Sequence, residues 1–239
     1  MPIPLLTVVI LLTATAVIAA ISLVLWSART TPATSRAAVL AGCVLVLWGV
    51  VVSTLGVRGA FIQSDITRFP PVGIALLTAF AGMAAALGTS ASLRSLLTNQ
   101  QHLIRLNVWR LLGVVFLVLM LNRQMPALWA LPAGIGDIFV GATAFRVAGR
   151  VATPSGKRRA VVFNLLGMLD LIVAVGLGIT TSQGPLRLFH TSPTSELATR
   201  FPLVLVPTFL VPLAFTLHVI SLTQLVGRSW ARPSGIGVS

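Results

Sequence analysis

The chain has 239 residues, of which 56% are hydrophobic and only 9% charged, and it carries a formal net charge of +13. A water-soluble domain carries about 25% charged residues, so this composition excludes a protein that meets water on every side. The single cysteine, Cys43, excludes an intramolecular disulfide and a cysteine-rich zinc site.

In a soluble protein such a basic balance would point to nucleic acid. Here the basic residues lie in short stretches between long apolar runs, where control of topology and contact with anionic lipid explain them. No nucleic-acid partner is expected. All of them except Lys157 are arginine, a bias that points to a GC-rich bacterial genome and thus to a bacterial inner (plasma) membrane.

Taking about 20 apolar residues as one membrane crossing, seven spans follow in order. They run from Leu5 to Trp26, Ala37 to Val57, Val72 to Ala91, Val108 to Leu121, Ala127 to Ala148, Ala160 to Thr181 and Pro202 to Val226. The first is too long for a signal peptide, lacks a preceding basic residue and ends in a poor cleavage site, so it is taken as a retained helix. The fourth is short and flanked by Arg110 and Arg123, whose snorkelling would let it cross. Connections such as "DITRFPP" and "GRVATPSGKRR" carry turn and helix-breaking residues. The expected fold is therefore all-α, a polytopic membrane bundle of seven helices forming one integral domain over residues 1–239.

Loop charge sets the expected direction. With the N-terminus outside, twelve basic residues fall inside, Arg110, Arg228 and Arg232 among them, and five fall outside. The positive-inside rule then gives N-out, C-in. Trp26, Trp109 and Trp129 fall near span ends, as an aromatic belt would place them, and Trp48 falls between helices.

Of the four acidic residues, Asp65 and Glu196 lie in loops whereas Asp137 and Asp170 lie inside spans. Ten residues into a span is about 15 Å deep at about 1.5 Å per residue, near the middle of a ~30 Å hydrocarbon core. The fifth and sixth spans are consecutive, so the two carboxylates can face each other at equal depth and share one proton, since burial and like charge both oppose a second ionisation. "GIGDIFV" and "GMLDLIV" both read Gly-x-x-Asp, with Gly134 matching Gly167, and glycine permits close helix approach in lipid. Asn164 and His218 come out about 6 Å from the inner boundary. With Arg110 they form a candidate polar path towards the aspartates. Each has a plainer reading: the aspartates as interhelical glue, Asn164 as a hydrogen bonder, His218 as packing and Arg110 as an interfacial snorkeller. Pro132, Gly134 and Gly136 precede Asp137 as a candidate helix break, of the kind that marks transporter sites.

Several functions are excluded. A rhodopsin-like retinal protein needs a lysine in its last span, and Lys157 lies in a loop. His102 and His190 fall on opposite sides of the membrane and cannot join His218 around a zinc ion. No cofactor or metal is implied.

Gly134-Ile135-Gly136-Asp137 reads G-x-G-D and resembles the motif of intramembrane aspartyl proteases, whose second aspartate lies on a neighbouring helix, as Asp170 does here. The resemblance implies a carboxylate pair that activates water for peptide hydrolysis. It covers four residues. In those families the G-x-G-D aspartate comes second, after Tyr-Asp in the presenilin type; here it comes first and its partner is Leu169-Asp170. Their Pro-Ala-Leu motif is missing from the last span, where "VPLAF" is the nearest string. The reading preferred from the residues is a small permease-like bundle in which Asp137 and Asp170 hold a proton, a cation or a polar solute. A non-catalytic sensor or scaffold is the third reading.

Arg150, Lys157, Arg158 and Arg159 cluster at one loop and are expected to meet anionic headgroups, each contributing about 1 kcal/mol. In a Cys43→Ala background, a cysteine placed at Ser155 should resist impermeant thiol reagents in intact cells and react after lysis. Neutralising the four basic residues should raise the fraction labelled from outside. Full labelling in intact cells before neutralisation would invert the topology.

Overall fold

A computed structural model of the chain describes residues 3–63 and 68–227. Asp65, Arg228 and Arg232 lie outside the described residues. Within them the structure is helix and turn, with no strand. Seven helices are long and apolar enough to cross a membrane: Leu5–Ser27, Pro32–Val57, Pro71–Thr89, Gln100–Leu121, Ala127–Arg150, Pro154–Thr181 and Val206–Leu225.

Several of these begin before the apolar run does, because capping residues start a helix while its first turn is still polar. At the second, the Thr31 hydroxyl accepts the Thr34 N–H at 3.2 Å and Pro32 takes the first position. At the sixth, the Thr153 hydroxyl accepts the Gly156 N–H at 3.0 Å ahead of Pro154. The fourth span departs furthest from expectation. It starts at Gln100, eight residues before Val108, with the Asn99 side chain accepting the His102 N–H at its start.

The elements in order are α1 (Ile3–Ser27), α2 (Pro32–Val57), α3 (Pro71–Thr89) and the short α4 (Ala91–Leu96). The fourth span is composite: α5 (Gln100–Arg105), a 3-10 stretch over Leu106–Gly113, and α6 (Val114–Leu121). α7 (Ala127–Arg150) and α8 (Pro154–Thr181) follow. The last span opens with a π-helical turn, Val206–Leu210, and continues as α9 (Val211–Leu225). The spans alternate in direction. One end of the bundle therefore holds the connections 28–31, 90–99 and 151–153, and the helix ends beside them carry most of the basic residues; it is called the basic end below. The other holds 58–70, 122–126 and 182–205 and is called the loop end.

The fourth and last spans are the most enclosed, and α2 is the least. α1 lays down a buried stripe of Leu6, Ile10, Ala14, Val17, Ile21 and Leu25, at the three- and four-residue spacing of one helix face. Its other faces, like those of α2, expose large apolar side chains such as Leu12, Leu23, Leu40 and Leu47. An apolar exterior of that extent fits a multi-pass membrane protein and would be a liability in water.

The break expected at Pro132, Gly134 and Gly136 does not occur: α7 runs unbroken from Ala127 to Arg150. Pro132 is only six residues in, so its missing N–H costs one early hydrogen bond, and Asp137 caps nothing. The irregular helices are the fourth, with its 3-10 stretch, and the last, at its π turn. In the last span Pro212 has no N–H for the Thr208 carbonyl, and the Trp48 indole N–H of α2 donates to that carbonyl at 3.0 Å. Trp129, the third residue of its span, turns inward. It is buried, donates to the Ala174 carbonyl at 2.7 Å and packs its ring 5.3 Å from that of Phe116.

The fourth span and α7 touch at backbone distance. Gly134, Asp137 and Gly141 are three and four residues apart and so share one face of α7, against which Gly113 and the 3-10 stretch lie. A Cβ added at Gly113 would stand 2.7 Å from the Gly134 carbonyl oxygen. Gly113→Ala should therefore push the two spans apart and destabilise the bundle by about 1–3 kcal/mol, read as a lowered Tm in detergent. Gly82→Ala, inside α3 with nothing within 4 Å, should leave Tm the same or slightly raised, since alanine is the better helix former.

Candidate functional site

The 3-10 stretch explains how a charge reaches the middle of the bundle. At three residues per turn, positions i, i+3 and i+6 eclipse one another. Asn107, Arg110 and Gly113 therefore form one line, and all three are buried. Arg110 is fully enclosed. It is not an interfacial snorkeller: with the span starting at Gln100, it lies eleven residues from the span's loop-end residue, Leu121. Asp137 is ten residues from Ala127, Asp170 eleven from Thr181 and His218 twelve from Val206. Four helices thus bring four polar side chains to one level.

Arg110 is the hub. Its Nε donates to Asp137 Oδ1 at 2.6 Å, and its Nη2 donates to Asp170 Oδ2 in a short ion pair. Its Nη1 donates to the Gly167 carbonyl at 3.2 Å and lies 3.2 Å from His218 Nε2. The aspartates expected to meet face to face are joined through the guanidinium, each on a different nitrogen. Glycines make the room. The Asp170 carboxylate fills the space that a side chain at Gly136 would need, and the His218 ring does the same over Gly167. Gly134 and Gly167, matched in the sequence, play different parts: Gly134 meets the fourth span, Gly167 receives the histidine.

The chain of bonds continues towards the basic end. A guanidinium only donates, so His218 Nε2 accepts and the ring hydrogen is on Nδ1, which donates to Asn164 Oδ1 at 2.9 Å. Asn164 Nδ2 donates to Ser221 Oγ at 2.8 Å and to the Ala160 carbonyl at 2.8 Å. Ser221 Oγ donates to Gln100 Oε1 at 2.7 Å, Gln100 Nε2 to Gln224 Oε1 at 2.8 Å, and Gln224 Nε2 to the Leu97 carbonyl at 2.6 Å. Every step donates in the same direction. Arg110, Asn164 and His218 have no exposed surface, so the residues placed on a polar access path instead form a closed brace. His218 lies at the level of Arg110, not in a separate inner layer, because the last span begins at Val206 and not Pro202. Ser221, Gln100 and Gln224 were not singled out in the sequence; their spacing on the last helix and the cap at Asn99 are the only signals they offer.

The opening lies on the other side. A cavity of about 100 Å3 reaches Asp137 from the loop end, walled by Phe116, Trp129, Leu171 and Val206, with Ala198 of the Ser195–Thr199 turn beside it. That is room for several waters at the roughly 10–15 Å3 each requires. The turn is tied to α8 by Ser195 Oγ, which donates to the Gly178 carbonyl at 2.6 Å. Among the described residues no group of histidine, cysteine, aspartate or glutamate is arranged to hold a metal ion.

Breaking a buried ion pair from one side strands the other charge and costs about 3–5 kcal/mol. Arg110→Gln strands two carboxylates and removes the start of the brace, so it should lower Tm steeply. Asp170→Asn leaves Arg110 paired with Asp137 and should lower Tm far less. Equal losses in thermal unfolding of the two variants would refute the hub role of Arg110.

No curated protein and no solved structure matches the chain. One family model does, that of the domain of unknown function DUF8737, over residues 69–226. The match spans α3 to α9 and contains every residue of the polar cluster from Gln100 to Gln224, leaving α1 and α2 outside. Those 158 of 239 residues make the chain a member of the DUF8737 family.

Proposed function

We propose that the protein is a small permease-like bundle of the bacterial inner membrane, N-out and C-in, that takes up one proton or one monovalent cation at the Asp137–Arg110–Asp170 cluster. Charge is the observation that carries this reading. Two carboxylates surround one guanidinium, and His218 adds no charge because its Nε2 accepts from Arg110. With both carboxylates ionised, the cluster carries one net negative charge among apolar helices, where an uncompensated charge is costly. A proton or a single cation restores neutrality, and the cavity at Asp137 supplies a way in from the loop end.

The brace on the opposite side supports alternating exposure over a continuous wire. Asn164 and Gln100 interpose carboxamides, whose nitrogens only donate and whose oxygens only accept, so a proton cannot be handed along the brace as hydroxyls or waters would pass it. Release to the basic end therefore requires the helices to move. Hydrolysis of the aspartyl-protease kind draws no support from the geometry. The space between its two carboxylates would have to hold a water and a shared proton, and here a guanidinium occupies it. The exposed Arg150, Lys157, Arg158 and Arg159 complete the reading as the contacts with anionic headgroups on the cytoplasmic face.

The reading predicts an unusual mutational signature. Asp137→Asn or Asp170→Asn makes the cluster neutral, so either variant should insert and fold yet lose uptake. The double variant should be scarcely worse in flux than either single one, as for residues acting as a unit. The measurement is flux into liposomes under an imposed gradient of each ion, read with a pH-sensitive dye for protons and a cation-sensitive dye for the monovalent cation. Wild-type protein that moves neither, or Asn variants that retain full flux, would end this reading.

A further inference from the structure

We propose that the cavity above Asp137 binds a small alkylammonium ion, with the ammonium on Asp137 Oδ2 and the aliphatic body against the apolar wall. The inference rests on the charge reading above and names the cargo of the same site.

Three features of the cavity select this class. Asp137 lines it, and while Oδ1 is held by Arg110, Oδ2 accepts no hydrogen bond among the described residues. The walls offer Phe116, Trp129, Leu171 and Val206, and little that is polar. The cluster at the floor is one charge short of neutral. A hydrated inorganic cation would have to exchange its water for apolar side chains and one carboxylate oxygen, which does not repay its desolvation. A neutral apolar molecule would fill the walls and leave the floor charged. A bare proton neutralises the floor and leaves the apolar walls with no role. An organic cation meets both, and the rings of Phe116 and Trp129 in the wall add stabilisation for a cation beside them.

Size narrows the class further. A dry cavity of about 150 Å3 takes a molecule the size of benzene, so about 100 Å3 takes roughly four non-hydrogen atoms by the same measure, and a linear chain of about five when its tail lies in the open mouth. That fits a butylammonium ion and excludes a bulky quaternary cation. It also argues against the ethanolamine head of a lipid, whose phosphate would be drawn onto the apolar wall with it. An ammonium of this kind is protonated at neutral pH, as lysine is.

The test uses full-length protein in nanodiscs of phosphatidylcholine, which carries no primary ammonium. Butylammonium chloride is titrated calorimetrically, beside ammonium chloride, tetrabutylammonium chloride and butan-1-ol. The expected result is saturable binding of butylammonium, at least tenfold tighter than any of the other three, with a raised Tm. Asp137→Asn should abolish it. Ala198→Phe, which adds bulk to the cavity and leaves Arg110 and both aspartates in place, should weaken binding at least tenfold, and it carries the decision if Asp137→Asn fails to fold. Equal binding of butan-1-ol, or full binding by Ala198→Phe, would overturn the proposal. Proton flux in liposomes without butylammonium binding would refute this cargo and leave the permease reading standing. Butylammonium binding without flux of any ion would do the reverse.

Discussion

A guanidinium cannot be left alone among apolar helices, and most of the distinctive structure of this bundle consists of what keeps Arg110 company. Two carboxylates from α7 and α8, a backbone carbonyl and an imidazole from the last span all converge on it. Each demands space that ordinary side chains would deny, which is why Gly136 lies under Asp170 and Gly167 under His218. The 3-10 winding of the fourth span lines up the arginine with Asn107 and Gly113 so that the same face can press against α7. Buried ionic groups contribute little net stability once desolvation is counted. What this cluster does is tie four spans together at one depth.

The outer helices answer to a different requirement. α1 and α2 lie beyond the residues matched by the family and supply no member of the polar cluster. They are joined to the rest by apolar packing and by few directional contacts, of which the Trp48 bond to the carbonyl freed by Pro212 is one. That bond illustrates a general economy in a medium without water. A proline that leaves a carbonyl unsatisfied must find it a donor elsewhere, and the donor then serves as a rivet between helices.

Much of the architecture was legible because a bilayer is an exacting solvent. Long apolar runs, their number and their alternation follow from length and composition alone, and the structure carries seven such helices. Asp137 and Asp170 stood out for the same reason. Arg110 was misplaced by one step. The mixed stretch from Gln100 to Asn107 was left outside the fourth span, although the 14-residue remainder from Val108 to Leu121 is too short for a core needing about 20. Extending it to full length puts the arginine at the depth of the aspartates. Pro132 and the glycines near it drew attention as a break, yet proline is tolerated within the first turns of a helix. Pro207 and Pro212 pointed to a bent last span, and its π turn falls at Val206–Leu210; the 3-10 winding of the fourth span had no such local signal. The brace through Ser221, Gln100 and Gln224 joins residues more than 100 positions apart, a separation across which sequence carries no periodic signal.

The 3-10 stretch has a geometric consequence. It rises about 2.0 Å per residue with 3.0 residues per turn, against about 1.5 Å and 3.6 for an α-helix. Rewinding its eight residues as α-helix would shorten the span by about 4 Å and turn Arg110 by about 80° relative to Leu106. A turn of that size would aim the guanidinium away from both carboxylates. The pitch of the fourth span thus sets the direction in which Arg110 points, and the 3-10 winding aims it at both aspartates.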